Sequence, residues 1–188
     1  MLVRRSVLQR LDDAGQIDWS RVAVDGSFAR AFGGVEGSGK NPTDRGRPGV
    51  KQHVLVDGHG IPLAVDSTPA NTPEIQELLP LVDSAGPLDE AGEPQHRPAK
   101  VYGDRAYDSE PHREALRERG IDPKLAKRYT EHGSGLGKYR WVVERFFSWA
   151  HGFRKLRFVT EKTQEMQFAF LNLAVSIICL RFLHPALC

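Results

Sequence analysis

The chain has 188 residues, 40% of them hydrophobic and 27% charged, with a formal net charge of +2. That size and balance fit one folded domain with its own core and exclude a disordered chain. Two cysteines, Cys179 and Cys188, offer no disulfide framework and no metal-ligand spacing, so a reducing compartment is the default.

In chain order, residues 3–13 read as a short amphipathic helix, and the N-terminus lacks the apolar core of a signal peptide. RVAVDGS (21–27) reads as a strand running into a turn. The Gly- and Pro-rich stretch 33–49 reads as loop. Residues 50–67 carry a hairpin signal, two β-prone runs joined by Asp-Gly-His-Gly. A helix is expected over 72–86, with Thr72 as N-cap, Pro73 in the first turn and Gly86 at its end. A polar connector (86–98) leads to a strand (99–104), a helix (108–120) capped by Asp108 or Ser109 and stopped by Gly120, and a fifth strand (121–127). After a loop (128–137), two helices are expected over 138–156 and 161–183. The run Phe168–Leu183 is shorter than the ~18 residues of a membrane span and holds Asn172, Ser176 and Arg181, so it reads as a buried helix. A strand, a hairpin and then alternating helices and strands indicate an α/β fold with a mixed five-stranded sheet flanked by helices.

Charge is unevenly spread. Between Glu74 and Gln95 stand six acids and no Lys or Arg; between Lys138 and Arg157 stand six bases and a single acid, Glu144. Such a basic block suits a polyanion, or a solvated face. Asp25 and Asp104 each follow an apolar run and are expected to close their strands, where ligands collect in sheets with crossover helices; strand-end aspartates are also common turn formers and caps. On a helix from 138, Val142, Phe146, Trp149, Ala150 and Phe153 form one stripe, with Arg140, Glu144 and His151 opposite. Glu144 could then pair with Arg140 one turn away, or join the two aspartates. Three carboxylates with no Cys or His framework favour hard cations, Mg²⁺ or Mn²⁺, and two such ions stabilise both oxygens of a phosphoryl displacement.

The segments VDGSFARA, DRGRPGVKQHVLVDGHGIPLAV, GDRAYDS, EHGSGLG and RWVVERFFSWAHGFRKLRF, in that order, resemble the catalytic part of bacterial insertion-sequence transposases of the DDE type, in the group whose type element is insertion sequence five. The resemblance runs from about Asp18 to the C-terminus. It implies a ribonuclease H-like catalytic domain over 21–188, preceded by a helical lead-in (1–20) left from a longer N-terminal region. It also implies Asp25, Asp104 and Glu144 as catalytic, metal-holding residues, two Mg²⁺ or Mn²⁺ ions, and cleavage and strand transfer on double-stranded DNA. The partners implied are element terminal repeats and target DNA, bound by a homodimer or larger assembly in the bacterial cytoplasm at the nucleoid, with no membrane and no small-molecule substrate. Forty residues separate Asp104 from Glu144, leaving no room for an inserted domain. In the family's Glu helix a Tyr, an Arg, the Glu and a Lys or Arg recur at fixed spacing. Here Arg140 stands in place, Gly137 replaces the Tyr with Tyr139 nearby, and His151 replaces the last base, a role open to Arg154 or Lys155.

The remaining DNA-contact candidates are Lys40, Arg45, Arg47 and Lys51 in or beside the Gly/Pro-rich loop, Arg105 next to Asp104, and Lys138, Arg140, Arg145, His151, Arg154 and Lys155 around Glu144. Arg105 could instead pair with a catalytic acid. Trp141, Phe147 and Trp149 could stack on bases or fill the core. His53 and His59 read as structural, and the last helix as core or subunit interface. Two other readings stay open: a ribonuclease H-like nuclease that cuts without joining, and an inactive fragment that binds DNA or regulates a full-length enzyme.

Overall fold

The computed structural model describes residues 2–129, 135 and 137–184. Its elements are α1 (Leu2–Asp13), β1 (Val22–Ala31), β2 (Gly39–Lys40), β3 (Pro48–Asp57), β4 (Pro62–Pro69), α2 (Leu78–Asp83), β5 (Lys100–Gly103), α3 (Glu110–Glu118), β6 (Asp122–Leu125), α4 (Gly137–Ala150), α5 (Arg154–Arg157), β7 (Phe158–Val159) and α6 (Gln164–Leu183). Short 3₁₀ turns at Glu74–Glu77 and Arg105–Tyr107 precede α2 and α3.

The main strands lie in the order β4-β3-β1-β5-β6, antiparallel from β4 to β1 and parallel from β1 to β6. β3 is buried on both faces along nearly its whole length, and β5 and β6 are joined by the α3 crossover. α4 and α6 pack on one face, with α1 against α6; α2 and α3 touch each other on the other. This is the ribonuclease H-like α/β architecture. The core runs from Leu8 and Leu11 of α1 through Val24, Leu55 and Leu63 of the sheet to Phe146, Val175 and Ile178. α1 is therefore packed into the same core, and Arg4, nearly buried, donates to the Leu63 carbonyl at 2.9 Å.

Several boundaries differ from expectation. The sheet has seven strands, because β2 pairs β3 and β7 pairs β1 as two-residue pieces too short to carry a period-2 signal. The helix expected over 72–86 splits at Leu78, since Pro80 has no N–H to bond back through Gln76 and can sit only in the first turn of a new helix. Thr72 does not cap it. The helix expected over 138–156 ends at Ala150; Gly152 follows, and Phe153 is extended before α5. α6 starts at Gln164, where Thr163 Oγ1 accepts the Met166 N–H at 3.4 Å. By length and composition α6 could cross a membrane, but eight of its residues, Leu171, Val175 and Ile178 among them, are buried in the core. Most of the loop expected over 128–137, and Cys188, lie outside the described residues.

Candidate active site

The site is set by the register of two parallel strands. β1 and β5 pair at Val22↔Val101 and Ala23↔Tyr102; the same step continued by two residues puts Asp25 beside Asp104. Asp25 does not close its strand as expected. β1 runs on to Ala31 because β3 pairs with it from Asp57 back to Gly49, overriding the Gly26-Ser27 turn signal. It is β5 that stops, at Gly103, so Asp25 projects where its neighbouring strand has ended. Asp104 turns the chain there: its Oδ1 accepts the Ala106 N–H at 2.8 Å and caps the 3₁₀ turn. Asp25 Oδ1 accepts the Gly26 N–H at 2.8 Å, leaving Oδ2 directed outward.

One guanidinium holds both acids. Arg140 Nη2 lies 2.7 Å from Asp25 Oδ2 and 3.9 Å from Asp104 Oδ2. Burial pushes the Asp25 carboxyl above the usual carboxylate range; Arg140 and the Gly26 N–H pull it back, and the Asp104 charge adds to the rise. Beneath them Tyr107 is fully buried, and its hydroxyl has no hydrogen-bond partner among the described residues. Burial, then the charges of Asp25 and Asp104, hold that phenol well above its ordinary value, so it stays neutral.

Glu144 stands one turn along α4 from Arg140, exposed, and among the described residues it has no ion-pair partner within 4.0 Å. The local Arg140–Glu144 pair is thus not formed; Arg140 takes the better-desolvated Asp25 instead. The helix is also rotated from the expected face. Val142, Val143, Phe146, Phe147 and Ala150 are buried, so Phe147 is core and Trp149 lies only at its edge. That rotation moves Glu144 from the far side of α4 to its flank. Among the described residues no three Asp, Glu, His or Cys groups are gathered closely enough to hold a metal ion. The Asp25–Asp104 pair by itself fits a hard divalent cation in donor chemistry, and the Arg140 guanidinium supplies the compensating positive charge between them.

The basic candidates divide by surroundings. Lys51 is not a surface cation: its ammonium is buried, 2.7 Å from both the Thr72 carbonyl and Glu74 Oε1. Arg145 points away from the aspartates, its guanidinium between the Trp141 and Trp149 rings at 4.6 and 4.9 Å and bonded to the His59 carbonyl of the β3–β4 turn. His151, whose Nε2 is 3.5 Å from Ser27 Oγ, is held below its usual pKa by burial and by Arg157, so it is neutral near pH 7 and does not replace a Lys or Arg. Lys40, Arg45, Arg47, Lys138, Arg154 and Lys155 are exposed; Arg47 lies 3.6 Å from Asp44, and Lys155 bonds Glu161. Arg105 is half-buried in the turn after Asp104, and its carbonyl accepts from Arg128 Nε at 2.8 Å.

Sequence reasoning missed the buried support behind Asp25. Gly26 faces His53 and Lys51 on the opposite side of the sheet, where a Cβ would meet each at 3.3 Å. His53 Nε2 is 2.7 Å from Thr68 Oγ1, and burial with the nearby Lys51 charge lowers its pKa to about 4. The signal available was a Lys and a His alternating within an apolar strand.

The model of the transposase DDE domain family matches residues 17–179. The chain is 53% identical over 150 residues to a Burkholderia cepacia protein named as transposase for insertion sequence element IS402, covering 79% of this chain and 71% of that protein. It is 34% identical over 120 residues to the transposase for insertion sequence element IS1106 of Neisseria meningitidis serogroup B, covering 58% of this chain and 38% of that protein. Among solved structures, a pre-cleavage Mos1 transpososome is similar at 12% identity and a TM-score of 0.45 over 96% of this chain and 59% of that one. The catalytic core of BIV integrase is similar at 12% identity and a TM-score of 0.41 over 83% and 80%. With a family match over most of its length and a relative at more than half identity, the chain belongs to the DDE transposases of bacterial insertion sequences.

Proposed function

We propose that the chain is the catalytic part of a transposase that cuts DNA at the ends of its element and joins the freed 3′ ends to target DNA. The observation that carries this is the meeting of Asp25 and Asp104 on one guanidinium at the edge where β5 stops. Asp25, Asp104 and Glu144 would hold one or two Mg²⁺ or Mn²⁺ ions, which when bound supply a lowered pKa for the attacking water or hydroxyl and charge neutralisation at the phosphorus. Asp104, fixed by its cap to the Ala106 N–H, is the rigid donor. Asp25, desolvated on a central strand, is the donor whose charge most needs a cation. Glu144, exposed and without an ion-pair partner among the described residues, would be the side chain that turns in. Arg140, once displaced from Asp25, is placed to meet a DNA phosphate, with Lys40, Arg45, Arg47, Arg105, Lys138, Arg154 and Lys155 as further backbone contacts. Double-stranded DNA is the partner, bound by a dimer or larger assembly, and the place of action is the bacterial cytoplasm at the nucleoid.

A strand-transfer assay tests this, using oligonucleotides that carry the terminal repeats of the source element, with Mg²⁺. Cleaved and joined products lost on Asp25→Asn, Asp104→Asn and Glu144→Gln support it; products unchanged by all three remove the triad. Cleavage without joining would make the chain a nuclease. A second reading, a DNA-binding or regulatory fragment without catalysis, is favoured by Glu144 standing outside the acid pair and Arg140 already neutralising it. That reading requires DNA binding with no cleavage under any metal condition.

A further inference from the structure

At the far end of β1 the chain leaves two phenylalanines in solvent. Phe32 is 45% and Phe158 39% exposed, with ring centroids 6.2 Å apart and planes tilted by 56°. They are held in place by backbone, not by chance contact. β7 pairs parallel with the end of β1 at Arg30↔Phe158 and Ala31↔Val159, and the Phe32 N–H donates to the Val159 carbonyl at 2.9 Å. The two rings, with Arg154, Lys155 and Thr160, line a cavity of about 510 Å³, within the range that takes a small ligand.

Bases outnumber acids around it: Arg154, Lys155 and Arg157 stand against Glu161, which Lys155 and Thr160 hold. The Arg157 guanidinium lies over the Phe158 ring at 5.3 Å. Neither Arg154 nor Arg157 has a carboxylate partner within 4.0 Å among the described residues; Lys155 alone is matched, by Glu161. Among the other exposed large side chains, Trp141 carries the Arg145 guanidinium, which the His59 carbonyl also holds, and Val3 and Leu173 line a groove between α1 and α6; the Arg157 guanidinium, over Phe158, has no hydrogen bond or ion pair among the described residues. Exposed aromatic faces beside unmatched arginines are what a nucleic-acid single strand uses, bases on rings and phosphates on guanidinium groups. A double helix hides its base faces and could not use the rings.

We propose that Phe32 and Phe158 form a stacking platform for an unpaired base of single-stranded DNA, with Arg154 and Arg157 on the flanking phosphates. This rests on the DNA-acting role proposed above and deepens it. Six residues lie between Asp25 and Phe32, a span of about 23 Å at ~3.3 Å per step. The platform would hold a frayed or displaced strand while its neighbouring segment lies at the acids.

The test measures affinity of the full chain for a 2-aminopurine-labelled single strand and for a duplex of the same sequence, at two salt concentrations. Phe32→Ala with Phe158→Ala should weaken single-strand binding about ten-fold, lose the fluorescence quench of the stacked base and leave duplex affinity nearly unchanged. Phe158→Trp should restore both. Arg157→Gln should reduce the salt slope for the single strand by about one. Thermal unfolding checks that each variant is folded. Equal single-strand affinity of wild type and double variant overturns the platform while leaving the DNA reading intact. Loss of self-association in the double variant, with single-strand affinity unchanged, overturns it too and makes the patch a contact between copies. Wild-type protein that binds neither form of DNA at low salt defeats both proposals.

Discussion

Replacing Arg140 by Ala should tighten divalent-cation binding at Asp25 and Asp104. In the structure the guanidinium makes a charge-assisted bond of 2.7 Å to Asp25 Oδ2 and sits 3.9 Å from Asp104 Oδ2. The Arg140 and Asp25 side chains are 21% and 24% exposed, so solvent screens that bond only in part; Asp104, at 40%, is screened more and adds little. A hydrogen bond between charged groups contributes about 1.5–3 kcal/mol, and a cation entering the pair must first break it. Its removal should therefore raise Mn²⁺ affinity by roughly ten-fold, up to about a hundred-fold. Free Mn²⁺ measured by electron paramagnetic resonance during titration reads this without any DNA or turnover, and Asp25→Asn with Asp104→Asn gives the blank. The titration belongs near pH 8, because the Asp25 carboxyl is already raised by burial and losing Arg140 raises it further. An affinity equal to or weaker than wild type would refute the reasoning: Arg140 would then be a scaffold that brings the acids together and not a competitor for their charge.

Three further outcomes follow from particular contacts. Arg113, buried, binds Asp108 Oδ1 at 2.7 Å and the Leu125 carbonyl at 2.9 Å, tying the turn after Asp104 to β6; Arg113→Leu should cost about 2–3 kcal/mol, read as a lower denaturant midpoint with unchanged slope. At Gly103 a Cβ would meet Leu125 at 2.8 Å and Tyr107 at 3.2 Å, so Gly103→Ala should displace Asp104 and weaken Mn²⁺ binding several-fold while the protein stays folded by circular dichroism. His53, neutral and almost fully buried with a pKa of about 4 against an ordinary 6.5, binds its proton later than the unfolded chain does; stability should fall as pH drops from about 6.5 to 4, by up to about 3 kcal/mol, and His53→Gln should flatten that part of the stability–pH curve.

The element order along the chain and the placing of Asp25 and Asp104 after apolar runs were legible because those signals are local; that the two strands are neighbours is a matter of register. What was not legible depended on distant partners. Lys51 looked like a loop cation until Glu74 and the Thr72 carbonyl, more than twenty residues on, closed over it. Arg145 looked like part of a DNA wall, yet two tryptophans one turn away on either side and a turn from another hairpin hold it. The face of α4 was misjudged for a related reason. Trp149 and Phe153 are apolar enough to pull a helical wheel toward themselves, but β1 and β3 offer room to Val143 and Phe147, and packing against the sheet decides. Glu144 was singled out correctly as an acid off the core.

Arg140 and Glu144 occupy successive turns of one helix flank and carry opposite charges toward one pair of acids. With no cation present, electrostatics selects Arg140, because two carboxylates at the sheet edge, one of them desolvated, repel a third. A cation held by Asp25 and Asp104 would invert the preference, repelling a guanidinium and attracting a third carboxylate. The i, i+4 spacing puts both side chains on one flank of α4, whose Val143 and Phe147 are fixed in the core. On the function proposed above, the basic segment around the lone acid would keep the site's charge balanced in both conditions, by its own arginine before a cation enters and by DNA phosphates that the released arginine would meet afterwards.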